Sequence, residues 1–153
     1  MEILKKYYDL IDKSAWNRGP WDSEPDMVNL YHEDSDLYCR IIRMESSGSL
    51  NGYVALHKGH RWYKKNYNDI DVSVHGGLTY SRLSEKEDEG IEEMMPNVLY
   101  EGYKGLTYWI GFDTSHYRDL SPGYYNFRLL QDGEYRDLGY IMNELTELCK
   151  QLK

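Results

Sequence analysis

Two runs of the chain gather residue types that bind metals, move protons or hold polar ligands: Val72-Ser-Val-His-Gly-Gly-Leu-Thr-Tyr80 and Trp109-Ile-Gly-Phe-Asp-Thr-Ser-His-Tyr-Arg-Asp119. In the first, His75 precedes Gly76 and Gly77, so an imidazole sits beside backbone that a ligand can approach closely. Exposed N–H groups in such a turn can also form a nest for an anion, with Thr79 two residues on. In the second, Asp113, His116 and Asp119 follow an apolar stretch at spacings of three, and a helical turn after Phe112 would place them near one face. Two histidines with a carboxylate can hold a divalent metal with open positions. The same groups can do acid–base work, because imidazole titrates near neutral pH. Each residue also has a structural reading: His75 hydrogen-bonded within a glycine turn, Asp113 as a helix N-cap or Asx turn, Asp119 as a loop carboxylate.

A third candidate is His57-Lys-Gly-His-Arg-Trp-Tyr-Lys-Lys65, where cations and aromatic rings are interleaved. His57, His60, Arg61 and Trp62 would suit a nucleotide there, the cations facing phosphates and Trp62 or Tyr63 stacking on a base at ~1–3 kcal/mol. The alternative is a solvated basic hairpin loop that balances the acidic run at 84–96. A fourth is Gly19-Pro-Trp-Asp-Ser-Glu-Pro-Asp26, with Glu24 and Asp26 as site carboxylates and Trp21 as a ligand wall, or else a rigid connector with Trp21 buried. Arg40 and Arg43 are not added to the site. Cys39, mid-strand, reads as an inert buried thiol.

The elements that must position these residues follow from periodicity. Ile3, Leu4, Tyr7, Tyr8 and Ile11 form one helical stripe over residues 2–13, ended by Gly19-Pro20. Leu37 to Met44 reads as a strand, Ser46-Ser-Gly48 as a hairpin signal, and Leu50 to His57 as the returning strand with Gly52 a candidate bulge. Ile70 to His75 alternates as a third strand and meets the glycine pair. The acidic residues 84–96 read as a solvated loop or short surface helix. Strand character returns at Val98 to Glu101 and at Leu106 to Phe112. After Asp132-Gly133, the residues Leu138, Ile141, Met142, Leu145, Leu148 and Leu152 give one apolar helical face. The expectation is a single α+β domain over residues 1–153, a mainly antiparallel sheet packed by N- and C-terminal helices.

Composition bounds the partners. The 153 residues can bury a real core, and 41% hydrophobic with 29% charged residues is ordinary for a globular protein. Sixteen Tyr and four Trp against two Phe favour surfaces that are part apolar and part wet, and they make a homodimer plausible. A net charge of −8 argues against binding duplex nucleic acid but leaves room for a small anionic ligand in a local basic pocket. Two cysteines are no disulfide framework and fit a reducing compartment. With neither a signal-peptide pattern nor a membrane span, the expected location is the cytoplasm.

Beyond these readings, the chain resembles a family of uncharacterised small proteins from bacteriophages and prophages. The resemblance rests on Gly52-Tyr53-Val54, His57, Gly59-His60, Val74-His-Gly-Gly-Leu-Thr-Tyr80 and Trp109-Ile-Gly-Phe-Asp-Thr-Ser-His116 with Asp119. It continues through Tyr135-Arg-Asp-Leu-Gly-Tyr140, Glu144 and Gln151-Leu152. It implies a phage-type origin and a shared site, located in the host cytoplasm, without bringing a known reaction. Together with the residues it suggests an anti-defence accessory protein that sequesters a nucleotide-type immune messenger. The alternative is a metal-dependent or His/Asp acid–base hydrolase of a nucleotide or phosphate ester. A third reading is an acidic, tyrosine-rich protein that blocks a host factor as a nucleic-acid mimic, but a mimic needs neither glycine-flanked cluster.

Overall fold

The strand-forming runs at 27–32, 37–43, 50–56 and 108–112 are the most deeply buried, and the runs at 2–7 and 80–83 are edge strands. In the computed structural model, which describes residues 1–83, 107–124 and 133–153, they build one antiparallel sheet. Its strands are β1 (Glu2–Tyr7), β2 (Met27–His32), β3 (Leu37–Arg43), β4 (Leu50–Leu56), β5 (Tyr80–Leu83) and β6 (Tyr108–Phe112). Their spatial order is β1-β2-β3-β4-β6-β5, so β5, after a long connection, pairs outside β6 at the edge. One α-helix, α1 (Leu138–Leu152), is present among the described residues. The acidic run at 84–96 and the strand expected at Val98 to Glu101 lie outside them, as does the Asp132 half of the turn expected before α1.

One sheet face and α1 share the main core. Ile141, Leu145, Leu148, Cys149 and Leu152 are buried from the helix, and Leu37, Cys39, Ile41, Val54, Leu56, Ile110 and Phe112 from the strands. The two buried thiols meet across this layer, with Cys39 Sγ 3.3 Å from Cys149 Sγ. Burial pushes the Cys39 thiol well above its ordinary range, in keeping with an inert residue. The opposite face carries Met27, Ile42, Tyr53, Ala55 and Trp109, also buried.

The helix is started by two carboxylates. Asp137 at the N-cap accepts from the Tyr140 N–H at 2.8 Å, and Glu24 accepts from the Leu138 N–H at 2.6 Å. Glu24 also takes the Tyr135 hydroxyl at 2.6 Å, which in turn accepts from Arg43 Nη1 at 2.9 Å. Arg43 is fully buried and pairs through Nε with Asp26 at 2.8 Å, while Lys13 reaches the same oxygen at 2.6 Å. The Gly19–Asp26 stretch is therefore the connector of the two expected alternatives. Trp21 is buried, Asp26 is an internal counter-ion, and Glu24 caps a helix.

Three sequence expectations are corrected. Residues 2–13 do not form a helix. Glu2–Tyr7 pairs antiparallel with β2, with an irregularity between Ile3 and Lys5, and Ile3, Leu4 and Tyr8 remain exposed. The apolar stripe had nothing to pack against, whereas β2 offered a row of unpaired backbone groups. Asp9, at φ 55°, and the Leu10 and Ile11 N–H groups bonded to Asp26 then end the strand. Ile70 to His75 does not join the sheet either. It runs extended along α1, where Gln151 bonds both the N–H and the C=O of Ser73, at 2.7 and 2.8 Å, and Glu144 accepts the His75 N–H at 2.9 Å. Helix side chains thus replace a neighbouring strand, and Val72 and Val74 pack on the core as the alternation required. Gly52 is no bulge, since the register with β3 runs unbroken through Ile41↔Gly52. Its missing side chain leaves room for the Phe112 ring, 2.6 Å from where a Cβ would lie. The Ser46–Gly48 turn does link β3 to β4, with Gly48 at φ 71° and Met44 N–H bonded to Ser49 C=O at 2.8 Å.

Candidate functional site

Three segments meet at the N-terminal end of α1: the turn at 75–77, the loop leaving β6, and residues 133–136 leading into the helix. The β6 loop folds back through an Asp119 N–H to His116 C=O bond of 2.9 Å. Asp119 is then clamped from the other side, because Leu120 N–H and Glu134 N–H bond Glu134 C=O and Arg118 C=O, each at 2.9 Å. Gly133 permits this approach, since a Cβ there would stand 2.7 Å from backbone atoms of Asp119 and Leu120.

At the centre is the Asp119 carboxylate, 1% exposed. Oδ2 accepts from His75 Nε2 at 2.8 Å and from the His116 N–H at 3.0 Å, and lies 3.2 Å from His116 Nδ1. Oδ1 accepts from Arg136 Nε at 2.8 Å. Burial pushes the Asp119 carboxyl up, but Arg136, His75 and the His116 N–H outweigh it and hold the group below the ordinary carboxylate range. An ionised carboxylate only accepts, so His75 carries a proton on Nε2. Its Nδ1 lies 2.7 Å from the Tyr140 hydroxyl on the first turn of α1. Burial and the nearby Glu144 carboxylate raise the Tyr140 phenol above its usual value. Arg136 lies over the Tyr140 ring, 4.9 Å from its centroid.

His116 is the more open imidazole, with a side chain 38% exposed against 14% for His75, and the two ring centroids are 5.5 Å apart. Gly76, at φ 66°, lies beneath the His116 ring, and a Cβ there would come within 2.2 Å of it. Gly77, at φ 79°, faces open space. Its N–H bonds the Val74 C=O at 2.9 Å, so it is spent within the turn and not offered to an anion.

The aspartate that ends β6 stands at the rim. Asp113 Oδ1 accepts the Ser115 N–H at 3.0 Å, an Asx turn, and Oδ2 accepts the Thr79 hydroxyl at 2.9 Å. The same Oδ1 is 3.6 Å from His116 Nε2. His75, Gly76, Gly77, Thr79, Asp113, His116 and Asp119 are thus one constellation. Asp119, whose structural reading was a loop carboxylate, orients His75, whereas Asp113 stands near His116. Arg136 and Tyr140 were not proposed from the sequence. Their only signal was their place in the Tyr135–Tyr140 run that carries the phage-protein resemblance.

The basic loop goes elsewhere. His60 Nε2 bonds the Leu152 C=O at 2.8 Å and Arg61 Nη2 the Gln151 C=O at 2.9 Å, closing the C-terminal end of α1. Since the Trp62 N–H donates to His60 Nδ1 at 3.1 Å, Nε2 is the protonated nitrogen and donates to the carbonyl. Trp62 packs partly buried against the core, and His57 Nδ1 accepts the Gly59 N–H at 3.2 Å. Twelve residues of helix, about 18 Å, separate Leu152 from Tyr140. His57, His60, Arg61 and Trp62 are therefore not brought to the His75 cluster.

Among the described residues, the fold and cluster define an antiparallel sheet with one packed α-helix and a histidine–carboxylate cluster at that helix's N-terminal end. No protein-family model matches the chain, and neither a curated protein nor a solved structure matches it. Among the described residues, no helix is long and apolar enough to cross a membrane.

Proposed function

We propose that the His75–His116–Asp119 cluster is the working site of the protein and that it hydrolyses a small phosphate-bearing ligand, a phosphate ester or nucleotide. The observation that carries this reading is the buried Asp119 carboxylate gripping two imidazoles and a guanidinium, at 2.8 Å from both His75 Nε2 and Arg136 Nε. Hydrolysis of a phosphate ester needs a positioned water, a route for its proton and positive charge near the developing negative oxygens. Imidazoles held in fixed orientation supply the proton route, and Arg136, paired with both Asp119 and Glu134, fixes the carboxylate that orients them. His116, the more open ring and packed over Gly76, is the imidazole a ligand reaches first.

Sequestration of a nucleotide messenger by a phage-type anti-defence protein is the second reading. It is favoured by the mutual satisfaction of the cluster, where every core member already has a partner, as suits a rigid binding surface. The distribution of the basic loop weakens it, because the cations and Trp62 meant to hold phosphate and base lie at the far end of α1. Incubating the purified protein with cyclic and ADP-ribose-type nucleotides and with a simple phosphodiester separates the two. Fragments support hydrolysis; intact ligand recovered after denaturation supports sequestration. No turnover, no retained ligand and no thermal shift would sink both.

A further inference from the structure

The geometry points to a mononuclear site for a divalent transition-metal ion of the zinc type, held by His75 Nε2, His116 Nδ1 and Asp119 Oδ2. It deepens the hydrolytic reading above and takes from it only that this cluster is where the protein works. The three donor atoms lie within 4.8 Å of one another. Asp119 Oδ2 is 2.8 Å from one imidazole nitrogen and 3.2 Å from the other. In a tetrahedral site with bonds of about 2.0–2.1 Å, neighbouring donors stand about 3.3–3.4 Å apart. The oxygen–nitrogen separations of 2.8 and 3.2 Å are near that spacing, and the donor set, within 4.8 Å overall, reaches it by small side-chain rotations.

The crowding on one oxygen argues the same way. Three nitrogens converge on Asp119 Oδ2, at 2.8, 3.0 and 3.2 Å, although a carboxylate oxygen has two lone-pair directions. One direction is taken by the His116 backbone N–H. A cation between the oxygen and the two imidazole nitrogens would use the other and turn both ring lone pairs toward itself.

Two of the three donors are hydrogen-bonded from behind, as metal ligands generally are, and the third has a carboxylate nearby. His75 has the Tyr140 hydroxyl 2.7 Å from Nδ1, Asp119 has Arg136 2.8 Å from Oδ1, and His116 has Asp113 3.6 Å from Nε2. Metal binding at His75 Nε2 moves that ring's proton to Nδ1. The Tyr140 hydroxyl can accept it there, since a phenol both donates and accepts, so the switch strands no polar group. Two nitrogens and one oxygen suit zinc, cobalt or iron(II) better than magnesium or calcium, which favour all-oxygen cages. Three protein ligands leave at least one position for water or a phosphate oxygen. Bound there, the ion would acidify a water and stabilise charge on the phosphoryl oxygens.

The test uses tag-free full-length protein, dialysed against a chelator and then titrated with Co2+ and Zn2+. One equivalent of Co2+ per chain, with visible ligand-field absorption that Zn2+ abolishes, is the expected result. His116→Ala and His75→Ala should each weaken binding by at least tenfold, and Tyr140→Phe by about tenfold, the cost of losing an outer-shell partner. His57→Ala should keep full stoichiometry. Should Asp119→Asn fail to fold, His116→Ala carries the test, because its ring is half-open and circular dichroism reports whether the fold survives. Stoichiometry far below one for folded wild-type protein, or binding untouched by both histidine variants, overturns the site. Stoichiometric metal without phosphate-ester turnover would leave the site standing and remove the hydrolase reading. Turnover by metal-free protein, with no metal taken up, would do the reverse.

Discussion

His75 Nε2 and Asp119 Oδ2 stand 2.8 Å apart although forty-four residues separate them in sequence. That one contact joins the double-glycine turn to the loop leaving β6, and the Tyr140 hydroxyl on the opposite ring nitrogen ties both to α1. If the His75–His116–Asp119 cluster works on a ligand, His116→Ala should lower turnover by about 10²–10⁴, the usual contribution of a positioned acid–base or ligand-bearing side chain. Asp119→Ala should additionally cost about 1–3 kcal/mol of stability, since it leaves buried donors without an acceptor. Steady-state kinetics beside urea melts separate the effects. A His116→Ala protein with unchanged turnover would remove that imidazole from the chemistry.

The adjacent glycines predict opposite behaviour from neighbouring substitutions. Both have positive φ, so alanine at either is strained by about 1–2 kcal/mol. At Gly76 the new Cβ would also meet the His116 ring within 2.2 Å, whereas at Gly77 it meets nothing within 4 Å. Gly76→Ala should therefore displace His116 and impair ligand or metal binding, while Gly77→Ala should lower the melting midpoint and leave binding intact. Equal binding losses in both would mean that the turn's conformation, and not the ring's position, is what matters.

How far this was legible in the sequence depends on the range of the forces involved. The helix at 138–152 and the strands at 37–43 and 50–56 announce themselves because burial imposes a local period. Residue type singled out the two glycine-flanked runs as the chemistry-bearing ones, but their meeting is a matter of the fold. The choice of Asp119 over Asp113 was not readable either, since it depends on the Asp119–Glu134 bridge between segments remote in sequence. The N-terminal stripe misled for a related reason. Its apolar spacing fits a helix, but the edge of β2 supplies hydrogen bonds that periodicity cannot see. The basic loop misled differently, because His60 and Arg61 have the chemistry of a phosphate site and are consumed by the last carbonyls of α1.

That use of His60 makes stability depend on pH. Burial lowers its pKa below the ordinary 6.5, against the Leu152 carbonyl, which raises it, while His57 and Arg61 add like charge and lower it again. The folded state therefore resists the proton that the unfolded chain accepts. Stability should be full above pH 6.5, decline as pH falls below it, and level off once the folded-state value is passed. His32, also lowered by burial, adds to the same slope. His60→Ala should lower stability at pH 7.5 by removing the carbonyl's partner, yet flatten the fall between pH 7 and 5.5 measured by urea melts. An unchanged slope would assign the dependence to other groups.

The sharpest stability prediction concerns Arg43, which has no exposed surface and serves Asp26, the Gly48 carbonyl and the Tyr135 hydroxyl at once. Burial alone would lower its pKa, but Tyr135, Asp26 and Glu24 raise it, so it stays charged. Replacing it with methionine roughly keeps the volume and leaves the buried Asp26 carboxylate with Lys13 as its one remaining counter-charge, beside the Leu10 and Ile11 N–H groups. The expected cost is about 3–5 kcal/mol, the range for one half of a buried pair. Asp26→Asn with Arg43→Met should recover part of that loss, because the buried carboxylate that has lost one of its two cations is then gone. Additive losses in the double variant, read from denaturant midpoints, would instead make the stem packing and the Tyr135–Glu24 link the larger part of what Arg43 does, and the latch between the connector and the start of α1 would be chiefly steric.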